Sequence, residues 1–332
     1  NSYRVGLIGC GRIGQVHAES VFQNPRTTLE IVVDVVPEGA QSVVERFGGR
    51  ATSEAGDVFA DGAVDFAIIA SPTPTHAELL TVAMATGTPV LCEKPIDLDI
   101  DVVDAIRAQA AAASSPIALG FNRRFDPSFS EVHRRVQEGQ VGAVEQVVII
   151  SRDPVPPSLD YVKASGGIFR DMTIHDFDMA RHLAGNISAV TAVGFNQFSG
   201  EIRGENDFDA VTVVLTAESG ALVTITNSRH SAHGFDQRLE VFGARGMIRA
   251  DNVHDTNVTT YSAEHSGASA PYQTIMFRRY EQSYRAELEE FLRMLETGSS
   301  TSPTFDDGRE ALLIANAASL SATTGKSVLL KR

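Results

Sequence analysis

The chain has 332 residues, of which 43% are hydrophobic, and this predicts two folded domains rather than a disordered chain. Its 28 basic and 42 acidic residues give a net charge of −14, which disfavours nucleic acid as a partner because phosphate backbones are repelled. No apolar run reaches the roughly 18 residues of a membrane span, and no signal-peptide pattern precedes the strand at Tyr3. We expect a cytoplasmic protein that handles small ligands, with Cys10 and Cys92 as small buried residues.

The first third of the chain alternates apolar strand patterns with helix patterns. The predicted strands are residues 3–8, 29–33, 64–70, 89–92 and 117–121. The predicted helices are residues 11–24, 37–47, 75–86 and 99–113. Continuous apolar strands separated by helices indicate a parallel sheet covered on both faces. Residues 1–121 are therefore predicted to form a doubly wound α/β domain.

The pattern changes after residue 121. A helix at 127–138 and a strand at 144–151 precede a proline-rich loop at 153–165, and a further helix is predicted to begin near Asp171. The strands that follow are predicted at 189–195, 208–216, 221–227, 237–242 and 246–250, before a polar stretch at 251–270 and helices at 280–296 and 306–322. Short turns between long strands favour an antiparallel or mixed sheet. Residues 122–332 are predicted to form a second α/β domain with a large open, mostly antiparallel sheet.

A Gly-x-Gly-x-x-Gly motif lies between the first predicted strand and helix, as a dinucleotide-binding motif requires. Gly9 permits the tight turn, Gly11 allows backbone N–H groups to approach the pyrophosphate, and Gly14 allows close packing. The helix N-terminus adds its positive dipole. The candidate cofactor contacts in this motif are Gly9, Gly11, Arg12, Ile13 and Gly14.

Asp34 ends the second predicted strand, twenty residues after Gly14. A carboxylate at this position can accept hydrogen bonds from the adenosine ribose hydroxyls, and it would repel a 2′-phosphate. No Arg or Lys lies beside it, so the sequence predicts NAD rather than NADP. The alternative is that Asp34 only caps a loop.

Two further loops follow predicted strands at the carboxyl edge of the sheet, where ligands bind in such folds. The candidate cofactor contacts there are Ser71, Thr73, His76, Glu93 and Lys94. A structural role is favoured over a catalytic one for His76. The ammonium of Lys94 could stabilise a developing alkoxide and relay its proton, and Pro95 allows a cis peptide. A solvated lysine is the alternative.

Asp171 and His175 are four residues apart, a spacing that places two side chains on one face of a helix. A carboxylate beside an imidazole favours the protonated ring, which suits a proton shuttle near neutral pH. Asp171, His175 and Asp178 could instead offer metal ligands. No His-x-x-x-His motif or cysteine cluster completes a tight site, so no metal is predicted.

Three motifs, Gly9-x-Gly11-x-x-Gly14, Glu93-Lys94-Pro95 and Asp171-x-x-x-His175, stand in an order and spacing that resembles the glucose–fructose oxidoreductase/inositol dehydrogenase family. The resemblance covers essentially the whole chain, and residues 92–98, 120–127 and 166–178 are similar to its inositol 2-dehydrogenase branch. It implies an N-terminal Rossmann domain, NAD as cofactor and oxidation of a cyclic polyol, above all myo-inositol to 2-keto-myo-inositol (scyllo-inosose). It also implies a homotetramer or homodimer built through the C-terminal sheet.

The resemblance further implies roles for individual residues. Lys94 contacts the reacting hydroxyl, His175 takes its proton, and Asp171 holds another ring hydroxyl. The implied substrate contacts are Arg124, Asp153 and Tyr280. The branch's Tyr-Gly-Tyr-Asp-Gln-Arg segment is His-Gly-Phe-Asp-Gln-Arg at residues 233–238, so a scyllo-inositol or sugar dehydrogenase is an alternative. The second alternative is a non-catalytic sensor that binds NAD. A sensor would not need Lys94, Asp171 and His175 together.

Overall fold

The computed structural model describes residues 2–330, and their contacts divide the chain into two compact units. The first unit runs to Phe125 and includes Glu281–Leu312, whereas the second comprises Asp126–Tyr280 and the chain from Leu313. The predicted boundary at residue 121 would place residues 281–312 in the second domain, whereas they belong to the first unit. Only packing reveals this, because Leu288, Phe291 and Leu292 join the hydrophobic core of the first unit.

The first unit contains a six-stranded parallel sheet with the order β3-β2-β1-β4-β5-β6. Its strands are β1 Tyr3–Ile8, β2 Thr27–Val33, β3 Arg50–Thr52, β4 Phe66–Ile69, β5 Val90–Glu93 and β6 Ile117–Gly120. Its first four helices are α1 Arg12–Gln23, α2 Pro37–Phe47, α3 His76–Thr86 and α4 Ile100–Ala112. The predicted doubly wound sheet is confirmed. Strand order reverses between β1 and β4, which is where ligands bind in such sheets.

The second unit contains a seven-stranded sheet with helices α5 to α9 along its chain. The strands of this sheet are β7 Val144–Arg152, β8 Ile187–Phe195, β9 Ala210–Ala217, β10 Leu222–Ser228, β11 Asp236–Gly243, β12 Gly246–Ala250 and β15 Val328–Leu329. A separate hairpin consists of β13 Thr259–Tyr261 and β14 Ser266–Ser269. The helices are α5 Pro127–Gln137, α6 Leu159–Ser165, α7 Ile168–Asp171, α8 Ile174–Ala184 and α9 Gly200–Gly204. The last two helices, α10 Met276–Thr297 and α11 Phe305–Thr324, each contribute residues to both units.

The large sheet of the second unit has the order β12-β11-β7-β10-β9-β8-β15. Only β7 and β10 are parallel, so the predicted mixed, mostly antiparallel sheet is confirmed. One face of the sheet packs into a core that includes Phe129 of α5, Phe177 of α8 and Ile314 of α11. Within the described residues, no helix combines the length and the apolar character needed to cross a membrane.

Parts of the second unit differ from the sequence prediction. Helix α6 occupies the second half of the predicted loop at 153–165, because the Ser158 hydroxyl caps it by accepting a hydrogen bond from the Tyr161 N–H at 3.4 Å. Prolines upstream obscured this start. The polar stretch at 251–270 contains the β13–β14 hairpin, whose residues are all exposed and therefore carry no apolar pattern.

Candidate active site

The glycine loop between β1 and α1 is shaped by the protein's own backbone at two of its three glycines. Gly9 has a φ of +98°, and a Cβ there would lie 2.4 Å from the backbone nitrogen of Ser71. A Cβ on Gly14 would lie 2.0 Å from the Gly9 carbonyl oxygen. At Gly11, by contrast, nothing lies within 4 Å of the Cβ position. This open space, beside a helix N-terminus that no side chain caps, fits the pyrophosphate of NAD.

Asp34 directly follows β2, and its carboxylate joins the glycine loop to its own loop. Oδ2 accepts a hydrogen bond from the Cys10 N–H at 2.7 Å, and Oδ1 accepts one from the Val36 N–H at 2.8 Å. Each carboxylate oxygen has a further lone pair with which to accept a hydrogen bond from a ribose hydroxyl. Asp34 therefore does stabilise a loop, and its anchored carboxylate also fits the ribose-binding role.

Both cysteines of the chain are buried and free, as predicted. Burial, followed by the nearby Asp34 carboxylate, raises the pKa of Cys10 to about 12. Burial also raises the pKa of Cys92 well above its ordinary value. Because the thiolate is the reactive form of cysteine, neither side chain is a candidate for chemistry at the site.

His76 connects the loop after β4 to the loop after β5. Its side chain is buried, with Nε2 2.7 Å from the Ser71 carbonyl oxygen and Nδ1 2.7 Å from the Pro95 carbonyl oxygen. These contacts give His76 the structural role that its position favoured. Direct cofactor contacts by Ser71, Thr73 and His76 stay predictions.

The backbone at Lys94 is held by buried side chains. The Lys94–Pro95 peptide is cis, as proline allows. The Glu93 carboxyl has Oε1 2.8 Å from Nε2 of His17, and its Oε2 accepts a hydrogen bond from the Lys94 N–H at 3.3 Å. On the adjacent strand, a Cβ at Gly120 would lie only 2.9 Å from this carboxyl group. Glu93 therefore supports the backbone of Lys94 from inside the first unit, and its contact with the cofactor stays a prediction.

Glu287, on α10, is a buried acid near this motif that sequence reasoning missed. It is 1% exposed, and neither carboxyl oxygen has a hydrogen-bond partner among residues 2–330. Burial first, and the charge of Glu93 second, raise the pKa of Glu287 well above its ordinary 4.5. Helical spacing offered a signal, because Glu287 lies four residues before the buried Phe291 and three after the buried Tyr284.

The segment that carries Asp171 and His175 is not the single helix that was predicted. Asp171 ends α7, and α8 begins three residues later. The Ile168 carbonyl oxygen accepts hydrogen bonds from both the Met172 and the Thr173 N–H at 2.9 Å, and the second of these spans five residues, as in a π-helical turn. The prediction of a helix beginning at Asp171 is therefore wrong, because this turn interrupts the four-residue repeat. Spacing alone does not place both side chains on one face.

Two side chains that sequence reasoning missed hold the Asp171 carboxylate. The Tyr161 hydroxyl donates a hydrogen bond to Oδ1 at 2.8 Å, and Nη1 of Arg229 lies 3.6 Å from Oδ2. The Asp171 side chain is 16% exposed, whereas that of Arg229 is 1% exposed. Asp171 is thus an oriented carboxylate that can still accept a hydrogen bond from a ligand. The sequence offered one indication of Arg229, which is a charged residue directly after the strand β10.

Asp176, the residue after His175, faces the interior of the second unit. Its Oδ1 accepts a hydrogen bond from the Ser151 hydroxyl at 2.9 Å, and its Oδ2 accepts one from the Asn227 amide at 2.8 Å. These bonds anchor α8 to the sheet at β7 and β10. Across residues 2–330, no group of three or more His, Cys, Asp or Glu side chains could hold a metal ion. The donor geometry gives no support to a metal site.

The three implied substrate contacts lie in different surroundings. Arg124 pairs with Asp307 at 3.4 Å within the first unit, and its side chain is 8% exposed. In the second unit, the Asp153 N–H donates to the Ser228 carbonyl oxygen at 2.9 Å, and the buried Tyr280 donates from its hydroxyl to Gln237 at 2.9 Å. The structure shows what supports each side chain. Their contacts with substrate stay predictions.

Phe235 replaces the tyrosine of the resembling branch and is a core residue. It is 3% exposed, and its ring meets that of Tyr280 edge-on, with centroids 5.8 Å apart and an interplanar angle of 87°. The Asn252 amide donates to its carbonyl oxygen at 2.7 Å. The change from a phenol to a phenyl ring therefore acts on packing next to Tyr280 as well as on the hydroxyl count.

Comparisons with known proteins agree with the motifs. Residues 3–121 match the model described as "Oxidoreductase family, NAD-binding Rossmann fold", and residues 129–249 match that of the GFO/IDH/MocA C-terminal domain. The chain is 40% identical over 320 residues to an inositol 2-dehydrogenase of Rhizobium meliloti, covering 95% of each. A myo-inositol dehydrogenase structure from Corynebacterium glutamicum is 47% identical, with a TM-score of 0.96 and complete coverage of both chains.

The same fold is found in a more distant enzyme solved with its ligands. A scyllo-inositol dehydrogenase from Lactobacillus casei, with bound NAD(H) and scyllo-inositol, is 26% identical, with a TM-score of 0.92 and coverage of 99% of this chain and 99% of that one. The family resemblance expected from the three motifs is confirmed over both domains. The chain belongs to the GFO/IDH/MocA family of NAD-binding oxidoreductases.

Proposed function

We propose that the protein is an NAD-dependent inositol 2-dehydrogenase that oxidises myo-inositol to 2-keto-myo-inositol. The observation that carries the proposal is the oriented, partly exposed carboxylate of Asp171, held by Tyr161 and Arg229 and followed four residues later by His175. A polyol needs many donors and acceptors, and such a site rejects analogues that lack the matching hydroxyls. The similarity to enzymes named inositol dehydrogenases supports this substrate class.

Oxidation of a ring carbon removes a hydride from carbon and a proton from the attached oxygen. When bound, NAD accepts the hydride at nicotinamide C4. His175 takes the hydroxyl proton, and the Lys94 ammonium stabilises the negative charge that develops on oxygen. Asp171 accepts a hydrogen bond from another ring hydroxyl, while Arg124, Asp153 and Tyr280 are the further contacts that we assign to the substrate. The products are a ketone, NADH and a proton.

A substrate panel with NAD tests the proposal. NADH formation is measured with myo-inositol, scyllo-inositol, D-chiro-inositol, glucose and a linear polyol. Strong activity on myo-inositol supports the proposal, and preference for scyllo-inositol or a sugar keeps the mechanism but changes the substrate. NAD binding without turnover on any of these would favour the sensor alternative.

The residue roles are tested by Lys94→Ala and His175→Ala. Each should lower kcat by at least about a hundredfold, because each removes a group that acts on the reacting oxygen. NAD affinity should fall far less than kcat, since the glycine loop and Asp34 supply most of the predicted cofactor contacts. Loss of NAD binding in either variant would contradict the assigned role.

The outer face of the large sheet supports a homotetramer or homodimer, as the resemblance implied. Core residues cover the inner face, yet the opposite face exposes large apolar side chains on several strands. These residues are Val193 and Phe195 of β8, Val214 of β9, Leu222 of β10, Phe242 of β11 and Met247 of β12. Large apolar side chains exposed on five strands of one sheet face favour a surface that a second copy of the chain covers. Light scattering on the wild type and on Val214→Lys tests the assembly, and a monomeric wild type would contradict it.

A further inference from the structure

Arg229 is the largest fully buried side chain of the protein's described residues. It follows β10 directly, and its backbone N–H donates to the Asp209 carbonyl oxygen at 2.8 Å. Its guanidinium reaches two carboxylates: Nη2 donates to Oδ2 of Asp207 at 2.9 Å, and Nη1 lies 3.6 Å from Oδ2 of Asp171. A fully buried cation is costly unless such partners compensate it, so this bridge accounts for its burial.

Asp207 carries the same restraint to the backbone of α7. Its Oδ1 accepts a hydrogen bond from the Ile168 N–H at 2.9 Å, at the start of that helix. The same oxygen would lie 2.9 Å from a Cβ on Gly167, whose φ is +84°, so the turn before α7 is built closely around this carboxylate. Arg229 thus contacts the end of α7 through Asp171 and its start through Asp207.

The charges in this cluster are one guanidinium and two carboxylates. Without Arg229, the Asp171 and Asp207 carboxylates would lose the guanidinium that contacts both of them. Lysine would keep one positive charge, but its single ammonium lacks the planar fork that reaches two carboxylates at once. Replacing Arg229 with lysine therefore keeps the positive charge and removes the ability to contact both carboxylates.

We infer that Arg229 is a positioning residue that holds the Asp171 carboxylate in place for the substrate. This inference rests on the proposed function, because it takes Asp171 as a substrate-binding group. Arg229 itself, with 1% of its side chain exposed, acts only through Asp171 and Asp207. Its removal should therefore impair substrate turnover and not the binding of NAD.

A double-mutant cycle tests the inference, because it separates action through Asp171 from a general loss of structure. Arg229→Lys should lower kcat/KM for the preferred polyol by about tenfold or more, as expected for a displaced positioning group. In an Asp171→Asn background, the same substitution should cost less than about twofold, since the group that it positions is already impaired. Equal losses in the two backgrounds would overturn the inference. The dissociation constant for NADH should not change, and a matching loss of NADH affinity would also overturn it.

The matched control is Arg134→Lys in α5 of the same unit. Arg134 pairs with Glu131 at 2.7 Å on the surface, where both side chains are exposed, so the change should not affect kcat/KM. The four proteins of the cycle are also compared by thermal unfolding, which needs no activity. Direct pairing predicts changes in Tm that do not add, and additive changes would contradict it. A wild type that oxidises no polyol would refute the proposed function, while the unfolding cycle still decides whether Arg229 holds Asp171.

Discussion

Replacing Glu287 with glutamine should stabilise the protein at neutral pH and leave its stability nearly unchanged at acidic pH. The side chain is 1% exposed, and burial together with the charge of Glu93 raises the pKa of its carboxyl group well above the ordinary 4.5. Glutamine has nearly the same shape and carries no charge at any pH. The substitution therefore isolates the cost of ionising a carboxyl group at this position.

The expected difference in the free energy of unfolding follows from the number of protons that the folded and unfolded states bind. Between pH 4.5 and the raised folded pKa, the unfolded chain has released a proton that the folded protein retains. The contribution of Glu287 to stability is fully present below pH 4.5, and it falls by about 1.4 kcal/mol for each pH unit above that. The advantage of Glu287→Gln should therefore be near zero at pH 4.5 and should grow with pH until the raised folded pKa is reached.

Equilibrium urea unfolding, followed by circular dichroism, measures this difference. The chain contains no tryptophan, so intrinsic indole fluorescence cannot serve. Nucleotide is omitted, because a bound ligand adds its own stabilisation. The control is Glu281→Gln on the same helix, where an exposed glutamate pairs with Arg285 and its removal should change stability by less than about 0.5 kcal/mol. An advantage of Glu287→Gln that does not vary with pH would refute the reasoning.

Three further predictions concern the cofactor site, the cysteines and the turn before α7. Asp34→Ser should weaken NAD binding and relax discrimination against NADP, because it removes the carboxylate that repels a 2′-phosphate; unchanged cofactor preference in steady-state kinetics would contradict this. Cys10 and Cys92 should resist iodoacetamide until the protein unfolds, since their raised pKa values keep them protonated, and mass spectrometry detects any earlier labelling. Gly167→Ala should cost at least about 1 kcal/mol in urea unfolding, because its φ is +84°; wild-type stability would show that the turn relaxes.

The cofactor half could be predicted because its signals are local. The glycine motif, the preceding apolar strand and Asp34 lie within one strand–helix–strand unit, and each restricts the others. Strand β3 escaped prediction because its three residues, Arg50–Thr52, are exposed or half-buried and carry no apolar period. The helix at Asp171 was misplaced for a different reason. A single five-residue hydrogen bond to Ile168 changes the helical repeat, and no residue type specifies it.

The buried charges could not be predicted because their partners are distant in sequence. His17 and Glu93 are 76 residues apart, and Arg229 is 22 residues from Asp207. In a linear sequence each of these side chains resembles an ordinary solvated charge. Only the fold reveals that Arg229 is buried between two carboxylates, and only helical spacing hinted that Glu287 faces a core.

Lys94 shows why such distant residues matter for function. The Glu93-Lys94-Pro95 motif predicts the ammonium that would act on the substrate oxygen. It does not predict which residues hold the backbone that carries this ammonium. Two contacts hold the backbone that carries it: Glu93, paired with His17, accepts the Lys94 N–H, and His76 contacts the carbonyl oxygen of the next residue. A reacting group must be held to within a fraction of an ångström, which a loop achieves only when neighbouring side chains support it. Substitution of His17 or His76, which lie outside the motif, should therefore also lower kcat.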